Sequence, residues 1–156
     1  MARVSHPPVK ITLRDYAPSD FDALYEMDQK IFEPGIAYSR RQLREYLQLE
    51  GAQCILAEMG ERIAGFIVTA HEEGVGYVVT IDVLPAHRQQ SVGTLLLAEA
   101  EGRLATSGVH AIELETATDN TPAIAFWQKH GYRNRGVIKN YYPNGRDAFA
   151  MRKSIP

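Results

Sequence analysis

The chain is short of cysteine: Cys54 is the only one in 156 residues. An internal disulfide is therefore excluded. Cys54 stands in an apolar run between Gln53 and Ile55, where a small buried thiol with a packing role is the expectation. The chain also lacks an excess of charge of one sign. Seventeen basic residues face nineteen acidic ones, for a net charge of -2. Nothing here resembles the basic footprint of a nucleic-acid binder. No apolar run is long enough to cross a bilayer, and the opening MARVSHPPVK has no apolar stretch like that of a secretory signal. A cytoplasmic protein with no membrane partner is the expectation. His71, His87, His110 and His130 are scattered without metal-ligand spacing, so no metal site is expected. Internal repeats, linkers and low-complexity segments are also missing.

What remains is ordinary globular material, 45% hydrophobic and 23% charged. The length suits one domain with a real core. Residues 1–8 are expected as a loose tail closed by Pro7-Pro8, and residues 9–156 as a single domain. Alternating Val9, Ile11 and Leu13 predict a strand from Val9 to Tyr16. Pro18-Ser19-Asp20 supplies helix-start chemistry ahead of Phe21, Leu24, Tyr25, Met27 and Ile31 at helical spacing. Glu33-Pro34-Gly35 breaks that helix, and Ser39 caps a second one that stops by Gly51. Gln53–Met59 and Arg62–Ala70 read as a hairpin around Gly60-Glu61. A turn over His71–Gly76 leads to a long strand ending at Val83. A helix from Val92 to Ser107, a strand from His110 to Thr116 and a helix from Asp119 or Asn120 to His130 follow. Strands at Tyr132–Lys139 and Asp147–Lys153 close the chain. The order β-α-α-β-β-β-α-β-α-β-β describes a mixed sheet of the α/β type, with helices on its faces.

One stretch carries chemistry. Thr80 to Leu97 reads as a strand, a short polar turn (His87-Arg88-Gln89-Gln90-Ser91), then a helix with Val92, Leu95, Leu96 and Ala100 on its apolar face. A helix start leaves backbone N–H groups unpaired and carries the positive end of the helix dipole. A diphosphate suits such a place. An ordinary strand-to-helix turn has the same spacing.

Val83-x-Pro85-x-x-Arg88-x-x-Ser91-x-Gly93 resembles the acetyl-CoA signature of the GNAT superfamily of N-acetyltransferases. One position departs, because Ser91 stands where the family has glycine. Glycine tolerates positive φ freely and serine does not, although its hydroxyl can donate to a phosphate. A second block, Leu114-Glu115, Asn120, Ala123 to Trp127, Gly131-Tyr132, Asn140-Tyr141-Tyr142-Pro143, Gly145-Arg146, Asp147-Ala148 and Met151, is most similar to the bacterial ribosomal-protein-alanine N-acetyltransferases within that superfamily. The resemblance implies the GNAT acyl-CoA N-acyltransferase fold, with a cofactor between two splayed parallel strands. It implies acetyl-CoA as co-substrate and direct transfer to a primary amine in a ternary complex.

Carried over position by position, the resemblance implies cofactor contacts at Ile81, Asp82, Val83, Arg88, Gln89, Gln90, Ser91, Val92, Gly93, Thr94 and Asn120. Backbone N–H groups within Ile81–Val83 would polarise the thioester carbonyl. Glu115 matches the family's base, and Glu113 lies two residues earlier on the same strand face. Two neighbouring carboxylates raise one pKa, which suits a base near neutrality. A pair on a solvated face looks the same in sequence. Trp127 replaces the tyrosine that protonates the leaving sulfur. Its indole donates a hydrogen bond but is no usable acid, so Tyr132, Tyr141 or Tyr142 stands as a substitute and packing stands as the plain alternative. Asn120 also suits an N-cap. Tyr141 and Tyr142 match the region that grips the acceptor peptide, and Tyr38 lies in the loop matching the opposite wall. Both sets also suit packing.

A protein N-terminus is the expected acceptor. An α-amine titrates near ~7.7–8.0 and lysine near ~10.4, so deprotonating lysine costs about 3 kcal/mol more. A small amine (polyamine, amino acid or antibiotic) is the first rival, and a CoA-binding subunit without turnover the second. A homodimer stays open.

Overall fold

The structure, a computed structural model, describes residues 10–88 and 91–156. The expected tail, the strand start at Val9, and the cofactor contacts assigned to Gln89 and Gln90 lie outside the described residues. The chain order is β1 (Ile11–Asp15), α1 (Phe21–Ile31), α2 (Arg40–Leu47), β2 (Gln53–Met59), β3 (Arg62–Glu72), β4 (Val75–Val83), α3 (Val92–Thr106), β5 (Ala111–Ala117), α4 (Thr121–Lys129), β6 (Arg133–Ile138) and β7 (Ala148–Ser154). This is the expected α/β order, and the strands form one sheet in the order β1-β2-β3-β4-β5-β7-β6.

Period-two alternation gives the sheet its two apolar faces. On β2 and β3, Cys54, Leu56, Phe66 and Val68 pack with Phe21, Leu24 and Met27 of α1 and Leu43 of α2. Ile55, Ala57 and Ile67 point the other way, onto Leu96, Leu97, Ala100 and Leu104 of α3. Each such leucine contributes about 1.5–3 kcal/mol on burial. Leu95, expected inward, is 39% exposed, and Leu97 takes its place in the core. The swap follows from α3 lying flat on the sheet, so that its buried stripe runs through 92, 96, 97, 100 and 104.

Local chemistry sets the helix starts. The Ser39 hydroxyl accepts the Gln42 N–H at 3.1 Å, and the Gln42 side chain accepts the Ser39 N–H at 2.9 Å. This reciprocal cap is worth about 1 kcal/mol. The turn expected over His71–Gly76 is tighter. His71 pairs with Gly76 and Glu72 with Val75, leaving Glu73 and Gly74, both at positive φ, as the two turn residues.

Two irregularities open the sheet at its centre. Val78 pairs with Thr69 and Thr80 with Val68, so Val79 is an extra residue on β4. Such a bulge bends its strand. On the other side, β4 and β5 pair in parallel only from Val75↔Ala111 to Tyr77↔Glu113. Beyond that point Val78–Val83 and Leu114–Ala117 share no ladder, and β5 continues on β7 alone.

Candidate active site

The α3 end of the opening leaves backbone donors free at a helix start. Ser91 is the N-cap, and its C=O accepts the Leu95 N–H at 2.9 Å. The N–H groups of Val92, Gly93 and Thr94 therefore lack intrahelical acceptors. Ser91 has φ +69°, a conformation glycine adopts without penalty. The turn thus keeps the shape its glycine counterpart would give it. A Cβ on Gly93 would meet the Phe126 ring at 3.3 Å, so that residue stays small by packing. Arg88 Nε donates to Val83 C=O at 3.2 Å, and a guanidinium keeps other donors for an anion. The Thr94 hydroxyl is 3.2 Å from His130 Nε2.

The free half of β4 supplies further donors. Leu84 N–H bonds to Ala64 C=O, and antiparallel ladders alternate. Asp82 therefore faces β3, while the Ile81 and Val83 amides face the opening. Asp82 departs from the cofactor role assigned to it. Its side chain is 0% exposed and lies against α1, because position 82 shares its sheet face with Phe66.

Glu113 and Glu115 do share one face of β5, opposite Leu114. Glu113 is held by Arg152 Nη1 at 2.8 Å. Glu115 sits at the mouth of the opening. Crowding by its neighbours raises its pKa first, the Glu113 charge raises it further, and a hydrogen bond from Tyr141 partly offsets both. Tyr141 is 44% exposed, and burial of its hydroxyl side together with Glu115 pushes the phenol up to about 12. Tyr142 meets Tyr141 edge to face with centroids 4.9 Å apart. Burial raises the Tyr46 phenol on α2, and the Glu115 charge adds to it. The Tyr46 ring lies 4.8 Å from the Tyr38 ring.

Four assignments gain a definite place. Trp127 is 5% exposed, inside the core on the α3–α4 face. Tyr132 is 1% exposed and its hydroxyl donates to Glu101 at 2.9 Å, which removes it from the candidate acids. Asn120 is the N-cap of α4, its Oδ1 accepting the Ala123 N–H at 3.3 Å. Tyr38 is tied at both ends, its N–H to Asp28 Oδ2 at 2.8 Å and its hydroxyl to Val79 C=O at 2.9 Å. Among the described residues no cluster of His, Cys, Asp or Glu is arranged to hold a metal. No helix of the described residues is long and apolar enough to cross a membrane.

Sequence reasoning missed Arg146. It joins the loop between α1 and α2 to the loop between β6 and β7 and to the start of α4. Nε lies 2.9 Å from Glu33 Oε1, and Nη1 pairs with Asp119. The same loops touch at Gly35 (φ +89°), where an added Cβ would sit 2.6 Å from Asn144 Cβ. The partners are 113 residues apart, and no local pattern announces them.

The family model described as Acetyltransferase (GNAT) family matches residues 21–132. The chain is 27% identical to an uncharacterised N-acetyltransferase of Methanocaldococcus jannaschii, over 92% of each chain. It is 28% identical to an N-alpha-acetyltransferase of Saccharolobus solfataricus, over 92% of this chain and 93% of that one. The crystal structure of the ribosomal-protein-S18-alanine N-acetyltransferase from Escherichia coli superposes with a TM-score of 0.82 at 25% identity, covering 94% of both chains.

Proposed function

The chain belongs to the acetyltransferase (GNAT) family and is an acetyl-CoA-dependent N-acetyltransferase, and from that premise we propose that its acceptor is the α-amino group of a protein N-terminus. The observation that carries this reading is Glu115. It is a carboxylate with a raised pKa, on the stretch of β5 that no longer pairs with β4. Relatives named as N-alpha-acetyltransferases and a ribosomal-protein alanine acetyltransferase support it.

The residues fit the co-substrate. The amides of Val92, Gly93 and Thr94, with Arg88, receive the diphosphate. The Ile81 and Val83 amides lie where the thioester carbonyl would develop negative charge. Glu115 takes a proton from the incoming ammonium, directly or through water. The neutral amine then forms the N–C bond, the C–S bond breaks, CoA leaves as thiolate, and the acylated nitrogen releases its extra proton to solvent to leave the amide. A thiol titrates near ~8.5, so the thiolate takes its proton from solvent without a dedicated acid. Tyr141 orients Glu115, and Tyr38, Tyr46 and Tyr142 line the groove. An α-amine needs only a weak base near neutrality, which Glu115 supplies.

The test is an acceptor screen with acetyl-CoA. Short peptides beginning with Ala or Ser should be turned over, and the same peptides with a blocked N-terminus should not. Faster turnover of a polyamine, a free amino acid or an aminoglycoside would replace this reading with the small-amine one.

A further inference from the structure

Two aspartates are buried beside each other where the acceptor wall meets the bulged strand. Asp28 of α1 and Asp82 of β4 are each 0% exposed. Their carboxyl groups lie against one another. Asp28 Oδ2 accepts the Tyr38 N–H at 2.8 Å, and Asp82 Oδ1 accepts the Thr80 hydroxyl at 2.6 Å. The remaining oxygens, Asp28 Oδ1 and Asp82 Oδ2, are buried and have no hydrogen-bond partner among the described residues. Two carboxylates in contact away from water repel strongly. One hydrogen placed between the two orphaned oxygens relieves both the repulsion and the missing partners.

We infer that Asp28 and Asp82 share one proton and act as positioning residues, holding the acceptor wall onto the β4 bulge. The connections form a closed circuit. Thr80 bonds to Asp82, Asp28 accepts the Tyr38 N–H, and the Tyr38 hydroxyl bonds to Val79, the bulge residue and the neighbour of Thr80; the shared proton closes the ring between Asp82 and Asp28. The bulge bends the strand whose Ile81 and Val83 amides face the opening. Loss of the shared proton to solvent leaves two like charges face to face, drives α1 away from β4 and frees Tyr38.

The surrounding groups sharpen this device. The loop between α1 and α2 presents Tyr38, whose phenol is raised by burial, then by Tyr46, Asp28, Tyr141 and Asp82. β2 presents Cys54, whose thiol is pushed up to about 12 by burial, with Asp20 and Asp82 adding to it. β3 presents Phe66 and Val68, which are apolar. Burial raises both aspartates, Asp82 the more strongly, which favours keeping a proton on the pair. A proton bound by the native state and released on unfolding makes stability fall as pH rises, from the ordinary aspartate range up to the pair's native pKa.

The inference rests on the N-terminal acceptor reading for its functional half, and the experiment separates the two. Asp82→Asn and Asp28→Asn each place a fixed N–H donor between the residues while keeping an oxygen for Thr80 or Tyr38. Denaturant stability and the KM for an Ala-leading peptide are measured for the wild type and both variants across neutral and alkaline pH. The substrate's own titration is common to all three and cancels in the KM ratio. In either variant the pH slope of stability should differ from that of the wild type by roughly one proton. The wild-type KM should rise relative to the variants at alkaline pH, while the kcat ratio stays level. The double Asn variant sets two N–H groups against each other and should be less stable than the sum of the single changes. Parallel stability slopes, or an additive double variant, alongside normal peptide turnover would overturn the shared proton alone. Diverging slopes with no turnover of any N-terminal peptide would overturn the acceptor reading, and the positioning role with it.

Discussion

The indole of Trp127 meets the Tyr132 ring edge to face, with centroids 5.2 Å apart, inside the core between the sheet and α3. The Tyr132 hydroxyl donates to Glu101, which also pairs with Lys153 at 3.0 Å. Both aromatic rings are therefore held by packing and by α3. Trp127→Phe should cost about 1–2 kcal/mol of stability by leaving a partial cavity, and kcat should stay within a few-fold. Chemical denaturation and steady-state rates at saturating acetyl-CoA check this together. A hundredfold loss of kcat in a folded Phe variant would restore a leaving-group role to the indole.

Glu115 makes the opposite prediction. Glu115→Gln should lower kcat by about 10²- to 10⁴-fold, the range of general-base contributions, with CoA affinity by calorimetry unchanged. An unaltered rate would remove it from the base role.

The pH profile follows from the neighbours of Glu115. A base works when ionised, so kcat/KM should fall as pH drops through the raised Glu115 pKa. Tyr141 lowers that pKa and Glu113 raises it. Tyr141→Phe should therefore move the acid limb to higher pH, and Glu113→Gln should move it to lower pH. Shifts of the same sign in both variants would show that another group sets the limb.

Ser91 holds φ +69° at the N-cap of α3. A non-glycine residue there is strained by about 1–2 kcal/mol, and the greater freedom of glycine in the unfolded chain recovers only part of that for serine. Ser91→Gly should therefore stabilise the fold by about 0.5–1 kcal/mol and leave CoA affinity equal or tighter. Weaker CoA binding in the glycine variant would mean that the serine hydroxyl itself holds a phosphate.

Arg146 ties together loops that are otherwise joined only by contact. Arg146→Met should change stability by less than about 1 kcal/mol, as expected for exposed ion pairs. The peptide KM should rise several-fold with CoA affinity intact, and added salt should weaken wild-type peptide binding more than that of the variant. Equal salt dependence in both proteins would place the loop contact in Gly35 and Asn144 instead.

Much of the architecture was legible in the chain because its causes are local. The Ser39–Gln42 cap, the Gly60-Glu61 hairpin, the alternation along Gln53–Met59 and the proline-bearing start of α4 each depend on residues within a few positions of one another. The turn into α3 and the placement of Glu113 and Glu115 on one face of β5 were legible for the same reason. Trp127 was not, since a helix position at the right spacing serves equally a site or a core, and only the neighbouring Tyr132 and the sheet beneath decide between them. Asp82 gave no sign of facing α1 rather than the cofactor, because a one-residue bulge at Val79 fixes how β4 presents its faces.

The sequence by itself determined the order of elements, the α3 turn and the chemical kind of the site, all set by backbone preference and periodicity over short stretches. Tertiary structure alone decided where β4 and β5 part, that Asp28 meets Asp82, and that Arg146 joins Glu33 to Asp119. Those outcomes depend on burial and on charges brought together from distant positions, and a carboxylate or guanidinium changes its meaning with the partner and the solvent it is given.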